Sequence, residues 1–254
     1  MDNNENTFKA NLLAQKRLIG SWNMVGSTHA SEAMGWVGFD FLVVDLEHAP
    51  YSIALLQDCL RAIASTPTEA VVRLPSQDPI IIKQVLDSGA RNLMVPMIEN
   101  TEQAEAVVGA TRYPPDGYRG FALMHRASRY GTIDGFAKKA NDNICIMAQL
   151  ETPSAIENLG EISAVPGVDA LFVGPGDLSA AVGEIGNPGH EKVQGLMMDA
   201  AQRSAKAGVP IGTVMGMPEA VRKCLDNGYQ FAAVAGDLAF MMRGATAALK
   251  EVSA

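Results

Sequence analysis

The chain has few cysteines and no apolar run long enough to cross a membrane. Its 254 residues include only Cys59, Cys145 and Cys224, an odd number at distant positions. This spacing excludes a disulfide framework, and we predict three reduced, buried cysteines in a cytoplasmic protein. No apolar run approaches the ~20 residues of a transmembrane helix, and residues 1–11 lack the apolar segment of a signal peptide.

Basic residues are also scarce. There are 20 Lys and Arg against 28 Asp and Glu, so the net charge is -8. This balance argues against nucleic acid or an anionic membrane as the main partner. No Gly-x-Gly-x-x-Gly element opens the chain, which argues against a nicotinamide-dependent dehydrogenase.

Eight short apolar runs alternate with helical patterns along a chain that is 48% hydrophobic. Continuous apolar runs are typical of parallel strands that helices cover on both faces. The pattern predicts an α/β fold, a TIM-type (β/α)8 barrel forming a single domain over residues 1–254, with a doubly wound open sheet as the alternative. The predicted strands are Leu18–Met24, Phe41–Asp45, Ala70–Leu74, Asn92–Pro96, Ile144–Leu150, Ala170–Gly174, Pro210–Val214 and Phe231–Ala235.

Several helix starts carry a capping residue. Asp78-Pro79 and Thr152-Pro153 each place a cap before a proline at the first helical position, and Asn100 resembles the start of a capping box. Caps of this kind satisfy backbone N–H groups that have no partner within the helix. They support a helix after each of these strands.

Acidic side chains follow several predicted strands. Glu151 and Asp177 each come just after an apolar run, where barrels of this type present catalytic groups. Two hard oxygen ligands in this position suit a catalytic Mg²⁺ or Mn²⁺, which leaves sites open for water and substrate. Glu99 and Asp237 stand in similar surroundings. Four acids are therefore candidates for two ligand positions, and spacing alone does not choose between them.

Three further residues at strand ends point to acid–base chemistry. His48 lies just beyond the second strand, and Asp45 is close enough in sequence to orient its imidazole. Histidine titrates near neutrality, so this pair is a general acid–base candidate. Arg73 ends the third strand, where it would stabilise developing negative charge or pair with a nearby acid.

The placement of lysine and arginine adds two expectations. No lysine lies within an apolar strand run, which favours a metal route over a Schiff-base route. The loop-like stretch Tyr113–Tyr130 carries Arg119, Arg126 and Arg129, together with His125. Long ordered loops are often functional, so it either receives an anionic substrate or forms a solvated or subunit contact.

Six ordered motifs along the chain resemble the HpcH/HpaI aldolase family. They are Asp45-Leu-Glu-His48-Ala-Pro, Val-Arg73, Pro96-Met-Ile-Glu99-Asn-Thr, Pro115-Asp-Gly-Tyr-Arg119-Gly, Gln149-Leu-Glu151-Thr and Phe-Val-Gly174-Pro-Gly-Asp177-Leu-Ser. The resemblance covers nearly the whole chain. It implies a class II, metal-dependent, pyruvate-specific aldolase built on a TIM-type barrel, and a homo-oligomer, a hexamer whose dimers exchange a C-terminal helix.

The resemblance also assigns roles to individual residues. It implies Glu151 and Asp177 as ligands of Mg²⁺, Mn²⁺ or Co²⁺, in preference to Glu99 and Asp237. Gln149 would support the bound substrate, and the backbone of Gly176 and Asp177 would hold the pyruvate carboxylate. The catalytic set would be His48 with Asp45, and Arg73 for the enolate; Val214 would lie near the aldehyde. Many family members have alanine where this chain has Gly176.

The implied reaction is reversible cleavage of a 4-hydroxy-2-ketoacid to pyruvate and an aldehyde, as in aromatic or sugar acid catabolism. His48 would take the proton of the C4 hydroxyl, and Val214 with the Arg119, His125, Arg126 and Arg129 loop would select the aldehyde. Two alternatives remain: a CoA-thioester lyase of the citrate-lyase β type, and a non-catalytic ligand-binding barrel.

Overall fold

Eight parallel strands close in chain order into a barrel in the computed structural model, which describes residues 5–253. They are β1 (Leu18–Asn23), β2 (Phe41–Asp45), β3 (Glu69–Arg73), β4 (Asn92–Val95), β5 (Cys145–Leu150), β6 (Ala170–Val173), β7 (Ile211–Met215) and β8 (Phe231–Gly236). Strand β1 pairs with both β2 and β8, which closes the sheet. The predicted TIM-type barrel is confirmed, and each predicted strand agrees with the observed one to within one residue at either end.

Helices surround the barrel and follow the strands. They are α1 (Thr7–Leu13), α2 (Thr28–Gly35), α3 (Ile53–Ile63), α4 (Pro79–Asp87), α5 (Thr101–Thr111), α6 (Phe136–Ala140), α7 (Pro153–Glu157), α8 (Leu159–Ser163), α9 (Pro175–Ala181), α10 (Glu191–Ala207), α11 (Pro218–Asp226) and α12 (Asp237–Val252). The predicted caps are present: Asp78, Asn100 and Thr152 accept backbone N–H bonds at 2.7, 3.0 and 3.1 Å. Within residues 5–253, no helix combines the length and the apolarity needed to cross a membrane.

The barrel interior is filled by alternate residues of the strands. Phe41, Phe172 and Phe231 are fully buried there, and ring centroids within this group lie 6.0 and 6.1 Å apart. Gly20 and Gly212 are the cross-strand partners of Phe41 and Phe231, respectively. A Cβ atom would lie 2.3 Å from the ring at Gly20 and 2.2 Å at Gly212, so each ring occupies the space that a larger residue would fill.

Helix α1 closes the end of the barrel where the strands begin. Phe8 and Leu12 are buried against the interior cluster, and the rings of Phe8 and Phe41 meet edge to face at 5.5 Å. Lys9 forms a 3.0 Å ion pair with Asp169 at the start of β6. Within the described residues, α1 therefore plugs the barrel at this end.

Two further features are the state of the cysteines and the exposed apolar side chains of α12. The three cysteines are buried and free, as predicted, in α3, β5 and α11. Helix α12 presents large apolar side chains to solvent within one chain: Leu238, Met241, Met242, Leu249 and Val252 are 40–84% exposed.

The tight pairing of Gly212 with Phe231 makes a stability prediction. Substituting Gly212→Ala should lower the free energy of unfolding by about 1–3 kcal/mol, because the added methyl group overlaps the ring. Gly195→Ala is the control, since no atom lies within 4 Å of the added Cβ in α10, and it should leave stability equal or about 0.5–1 kcal/mol higher. Urea denaturation measures both, and equal destabilisation of the two variants would contradict this account of the interior.

Candidate active site

The ends of β2 and β3 hold a buried ion pair. Asp45 and Arg73 are register partners on the two strands. Arg73 donates from Nε to Asp45 Oδ1 at 2.9 Å and from Nη2 to Oδ2 at 2.5 Å. Two parallel bonds of this kind hold a guanidinium in a fixed orientation. The pair therefore presents Arg73 rigidly at the mouth of the barrel.

We predicted that Asp45 orients the imidazole of His48, but the Asp45 carboxylate does not contact that ring. Its Oδ1 instead accepts the backbone N–H groups of Glu47 and His48 at 3.0 and 3.3 Å. The physical reason is the register of β2 and β3, which pairs Asp45 with Arg73, so the guanidinium and these two N–H groups together occupy the carboxylate. Asp45 shapes the turn after β2 and orients Arg73.

Glu47 is the carboxylate beside the imidazole. Its Oε2 lies 3.8 Å from His48 Nε2 and 3.1 Å from Arg73 Nη1. Burial raises the pKa of Glu47, and the positive charges of Arg73 and His48 partly offset this increase. The His48 side chain is 58% exposed, so it can exchange protons with water at the mouth. Sequence reasoning missed Glu47, although it directly precedes His48.

Trp22 supports Arg73 from the other side. The guanidinium carbon lies 5.3 Å from the centroid of the Trp22 ring, a cation–π contact. The ring in turn packs at 5.7 Å against Phe172 in the interior. The sequence analysis did not single out Trp22 either. It could have been noticed as one of only two tryptophans in the chain, placed in the first strand.

Glu151 follows β5 and is buried at the same mouth. It accepts the Met97 N–H at 2.9 Å on Oε2 and the Gln149 side-chain amide at 2.5 Å on Oε1. Burial raises the pKa of Glu151 to about 7; the negative charges of Asp177 and Glu47 contribute, and the two hydrogen bonds oppose the increase. Three carboxylates therefore lie within electrostatic range of one another.

The backbone around Glu151 is shaped to receive it. Met97 adopts a left-handed conformation with φ of 56°, which is uncommon for a residue other than glycine and which aims its N–H at the carboxylate. A Cβ atom on Gly174 would lie 2.7 Å from Glu151 Oε1. Glycine is therefore required at the end of β6 for the carboxylate to occupy its position.

The other predicted site residues lie around Glu151. Gln149 is buried, and its Oε1 atom has no hydrogen-bond partner among the described residues. Asp177 and Gly176 are exposed in the first turn of α9, and a Cβ on Gly176 would meet no atom within 4 Å. Val214 in β7 is partly buried against the interior cluster. All of them accompany strands that end at the same mouth.

Glu99 and Asp237, the two strand-end acids that the resemblance did not select as metal ligands, have structural partners. Glu99 accepts the Thr152 hydroxyl at 2.7 and 2.9 Å and also binds the Ser154 hydroxyl, so it supports the start of α7. Asp237 accepts the N–H groups of Met24 and Val25 at 2.9 and 3.1 Å, tying β8 to the loop after β1. Their hydrogen bonds already satisfy these carboxylates.

The residues at the mouth fit a divalent cation. Within residues 5–253 no group of three or more His, Cys, Asp or Glu side chains forms a ready metal cage. Glu151 and Asp177 nevertheless supply two carboxylates, and the partnerless Gln149 Oε1 supplies a neutral oxygen. Mg²⁺ and Mn²⁺ commonly take one or two carboxylates and complete their shell with water and substrate. A cation would also relieve the repulsion between Glu151, Asp177 and Glu47.

The arginine-bearing segment between α5 and β5 lies elsewhere. Arg119 pairs with Asp87 at 2.6 Å, and Arg126 donates to the Ser88 carbonyl at 2.9 Å. Both acceptors lie at the C-terminal end of α4, beside the ends where the strands begin. Within one chain this segment therefore lies away from the barrel mouth, and its selection of the aldehyde stays a prediction.

Comparisons with known proteins show relatives that match over most of the chain. The model of the HpcH/HpaI aldolase/citrate lyase family matches residues 19–243. A 2-dehydro-3,6-dideoxy-6-sulfogluconate aldolase of Pseudomonas putida is 51% identical over 91% of each chain. A 5-keto-4-deoxy-D-glucarate aldolase of Enterobacter sp. (strain 638) is 40% identical over 97% of this chain and 96% of that protein.

A solved structure of a similar protein has the same fold. A HpcH/HpaI aldolase/citrate lyase family protein from Burkholderia cenocepacia J2315 superposes with a TM-score of 0.95 at 38% identity, covering 98% of this chain and 100% of that one.

The raised pKa of Glu151 makes a pH prediction for the metal-free protein. The folded state holds the proton more tightly than the unfolded chain, where a glutamate has a pKa of about 4.3. This stabilising contribution is complete below about pH 4 and is lost as the pH rises through about 7, the pKa of folded Glu151. The unfolding free energy of the wild type minus that of Glu151→Gln should fall by about 3–4 kcal/mol over this range.

Urea denaturation in the presence of a chelator, repeated across the pH range, measures this difference. The binding of Mn²⁺ should tighten over the same range, because the ligand must lose its proton. A difference between the wild type and the variant that stays constant with pH would refute the assignment.

Proposed function

The chain belongs to the HpcH/HpaI aldolase/citrate lyase family, and we propose from this premise that it is a class II pyruvate aldolase. It cleaves 4-hydroxy-2-ketoacids reversibly to pyruvate and an aldehyde. One observation carries the proposal: a rigidly held Arg73 shares the barrel mouth with the carboxylates Glu151 and Asp177. The names of both aldolase relatives describe ketoacids with a deoxy carbon, as this reaction requires.

A divalent cation, Mg²⁺, Mn²⁺ or Co²⁺, would be held by Glu151 and Asp177, with Gln149 Oε1 beside it. When bound, it supplies Lewis-acid polarisation of the substrate ketone. The Gln149 amide group and the Met97 N–H keep Glu151 in place. The backbone N–H groups of Gly176 and Asp177 lie in the first turn of α9 and would hold the substrate carboxylate.

The proton transfer is assigned to His48. Its neutral imidazole takes the proton of the C4 hydroxyl, the C3–C4 bond breaks, and the electron pair moves to C3 to form the enolate. Glu47, 3.8 Å from the imidazole, stabilises the charged ring that results. Return of a proton to C3 gives pyruvate, and the C4 fragment leaves as the aldehyde.

Arg73 stabilises the enolate oxygen. Asp45 and Trp22 hold the guanidinium before substrate arrives, so little reorganisation is needed during the reaction. Preorganised donors of this kind contribute about 3–4 kcal/mol each to the lowering of the barrier. Val214, on the interior face near the mouth, gives the aldehyde end an apolar contact.

An imine mechanism has no support in the barrel. None of the eight described strands contains a lysine, so no amine is desolvated among them. Schiff-base formation requires an amine whose pKa is lowered by such surroundings. The acid-rich mouth suits a metal-dependent route.

The proposed assembly is a homo-oligomer, a hexamer in which α12 is exchanged between subunits. The exposed apolar side chains of α12 support it, because side chains such as Met241 and Leu249 are 55% and 67% exposed in one chain. Apolar surface of this kind is stabilised when a second copy covers it.

The catalytic proposal predicts the effect of removing the base. His48→Asn should lower the rate of pyruvate release about 10²–10⁴-fold, because an amide cannot accept the hydroxyl proton. His190→Asn is the matched control, since His190 caps α10 and asparagine is also a good cap; it should leave the rate unchanged. Pyruvate release from 4-hydroxy-2-ketoacids, coupled to lactate dehydrogenase, measures both.

The same assay tests the metal and the alternative lyase. A chelator should abolish turnover, and Mg²⁺, Mn²⁺ or Co²⁺ should restore it. Turnover that continues in chelator would contradict the metal route. Cleavage of malyl-CoA without cleavage of any hydroxy-ketoacid would favour the CoA-thioester lyase instead.

The assembly makes a separate prediction. Met241→Glu should shift the oligomer towards smaller species, because it places a charge in an apolar contact. Lys250→Glu, on the same helix, should not produce this shift. Size-exclusion chromatography with light scattering measures the mass, and a hexamer unaffected by Met241→Glu would contradict the role of α12.

A further inference from the structure

A second cavity lies at the opposite end of the barrel from the active site. Its volume is about 710 Å³. The residues just before β3, β4 and β5 form its floor, and the ends of α3 and α4 and the segment between α5 and β5 form its walls. Glu69, which lines it, begins the strand that ends at Arg73. At about 3.3 Å per residue, the two sites are separated by about 13 Å along β3.

Positive charge is concentrated around this cavity. Glu69 is the one carboxylate among its described lining residues, and the cationic ones are Arg61, Arg91, Arg119, Arg126, Arg129 and Lys139. Asp58 pairs with Arg61 at 2.5 Å and Asp87 with Arg119 at 2.6 Å, so part of this positive charge is already balanced. The whole chain carries a net charge of -8. Local charge opposite to that of the whole protein is the expected signature of an anion site.

Arg126 is held in this cavity without a carboxylate. Its described hydrogen bond is to the Ser88 carbonyl at 2.9 Å. Burial, and then the positive charge of Arg61, lower the pKa of the Arg126 guanidinium. The Arg126 guanidinium is partly buried beside the exposed Arg61 and would gain from a bound anion.

Arg119 provides an independent observation. It is 4% exposed, and although its Nη2 donates to Asp87 at 2.6 Å, its buried Nε has no hydrogen-bond partner within the described part of the chain. A buried donor without a partner is destabilising. A ligand oxygen or a bridging water at the cavity wall would satisfy it.

The cavity wall also has an apolar part. Ile133, Phe136 and Ile144 line it together with the Tyr130 ring. A ligand that fits needs a carbon body as well as charged groups, and the volume is in the range of small-molecule sites.

We propose that this cavity binds a small organic polyanion that carries two or more carboxylate or phosphate groups. Guanidinium groups recognise both kinds of oxygen by paired hydrogen bonds. The site is separate from the barrel mouth, and its occupation does not depend on the aldolase reaction.

Isothermal titration calorimetry on the metal-free, full-length protein tests the proposal. Citrate and pyrophosphate are the probes for the carboxylate and phosphate arms, and acetate is the monoanionic control. At least one polyanion should bind measurably and more weakly as NaCl is raised, whereas acetate should not bind. If citrate binds more tightly, the cavity prefers carboxylate groups; if pyrophosphate does, it prefers phosphate groups.

Variants locate the binding. Arg61→Gln and Arg126→Gln should each weaken it about tenfold or more, the effect of losing a charged hydrogen bond. Arg222→Gln is the charge-matched control, because this exposed residue of α11 does not line the cavity. Circular dichroism checks that each variant folds. Because Arg61 is exposed, the Arg61→Gln variant keeps the test decisive if Arg126→Gln unfolds.

Three results would overturn the proposal. The first is no binding of either polyanion, as expected if a second copy of the chain covers the cavity. The second is binding that both cavity variants leave unchanged, which would place it at the active site. The third is equal weakening by Arg222→Gln, which would indicate attraction to general surface charge.

Discussion

The two-residue period of the barrel strands is the constraint on which the site depends. Successive side chains of a strand point to opposite faces, so every second residue faces the interior. In β2 the interior residues are Phe41 and Val43, and the next is Asp45. In β5 they are Cys145 and Met147, followed by Gln149 and, beyond the strand, Glu151. The apolar interior therefore ends in a polar layer at the mouth.

That polar layer contains more negative than positive charge. Asp45, Glu47, Glu151 and Asp177 face the cations Arg73 and, when protonated, His48. The two-bond ion pair with Arg73 neutralises Asp45. The carboxylates of Glu47, Glu151 and Asp177 then repel one another. Burial makes this repulsion more costly and is the main cause of the raised pKa of Glu151. A proton or a cation would relieve this repulsion, as in the proposed mechanism.

A cluster of arginines lies at the opposite end of the barrel. The segment between α5 and β5 brings Arg119 and Arg126 to the end of α4, near where the strands begin. The arginines were visible in the sequence as a cluster able to receive an anion. Their destination was not, because an irregular segment has no periodicity that indicates the surface against which it packs. Its contacts with Asp87 and Ser88 are long-range and exist only in the folded chain.

The sequence by itself determined the eight strands, the caps at Asp78 and Thr152, and the strand-end acids, because apolar runs, prolines and capping residues act locally. The family motifs then separated Glu151 and Asp177 from Glu99 and Asp237. Only the tertiary structure decided that Asp45 holds Arg73, that Glu47 lies beside His48, and that Met97 turns its N–H to Glu151. The physical reason is that strands apolar on both faces do not reveal which face is inside, nor the register between neighbours. Hydrogen bonds between strand ends follow from both.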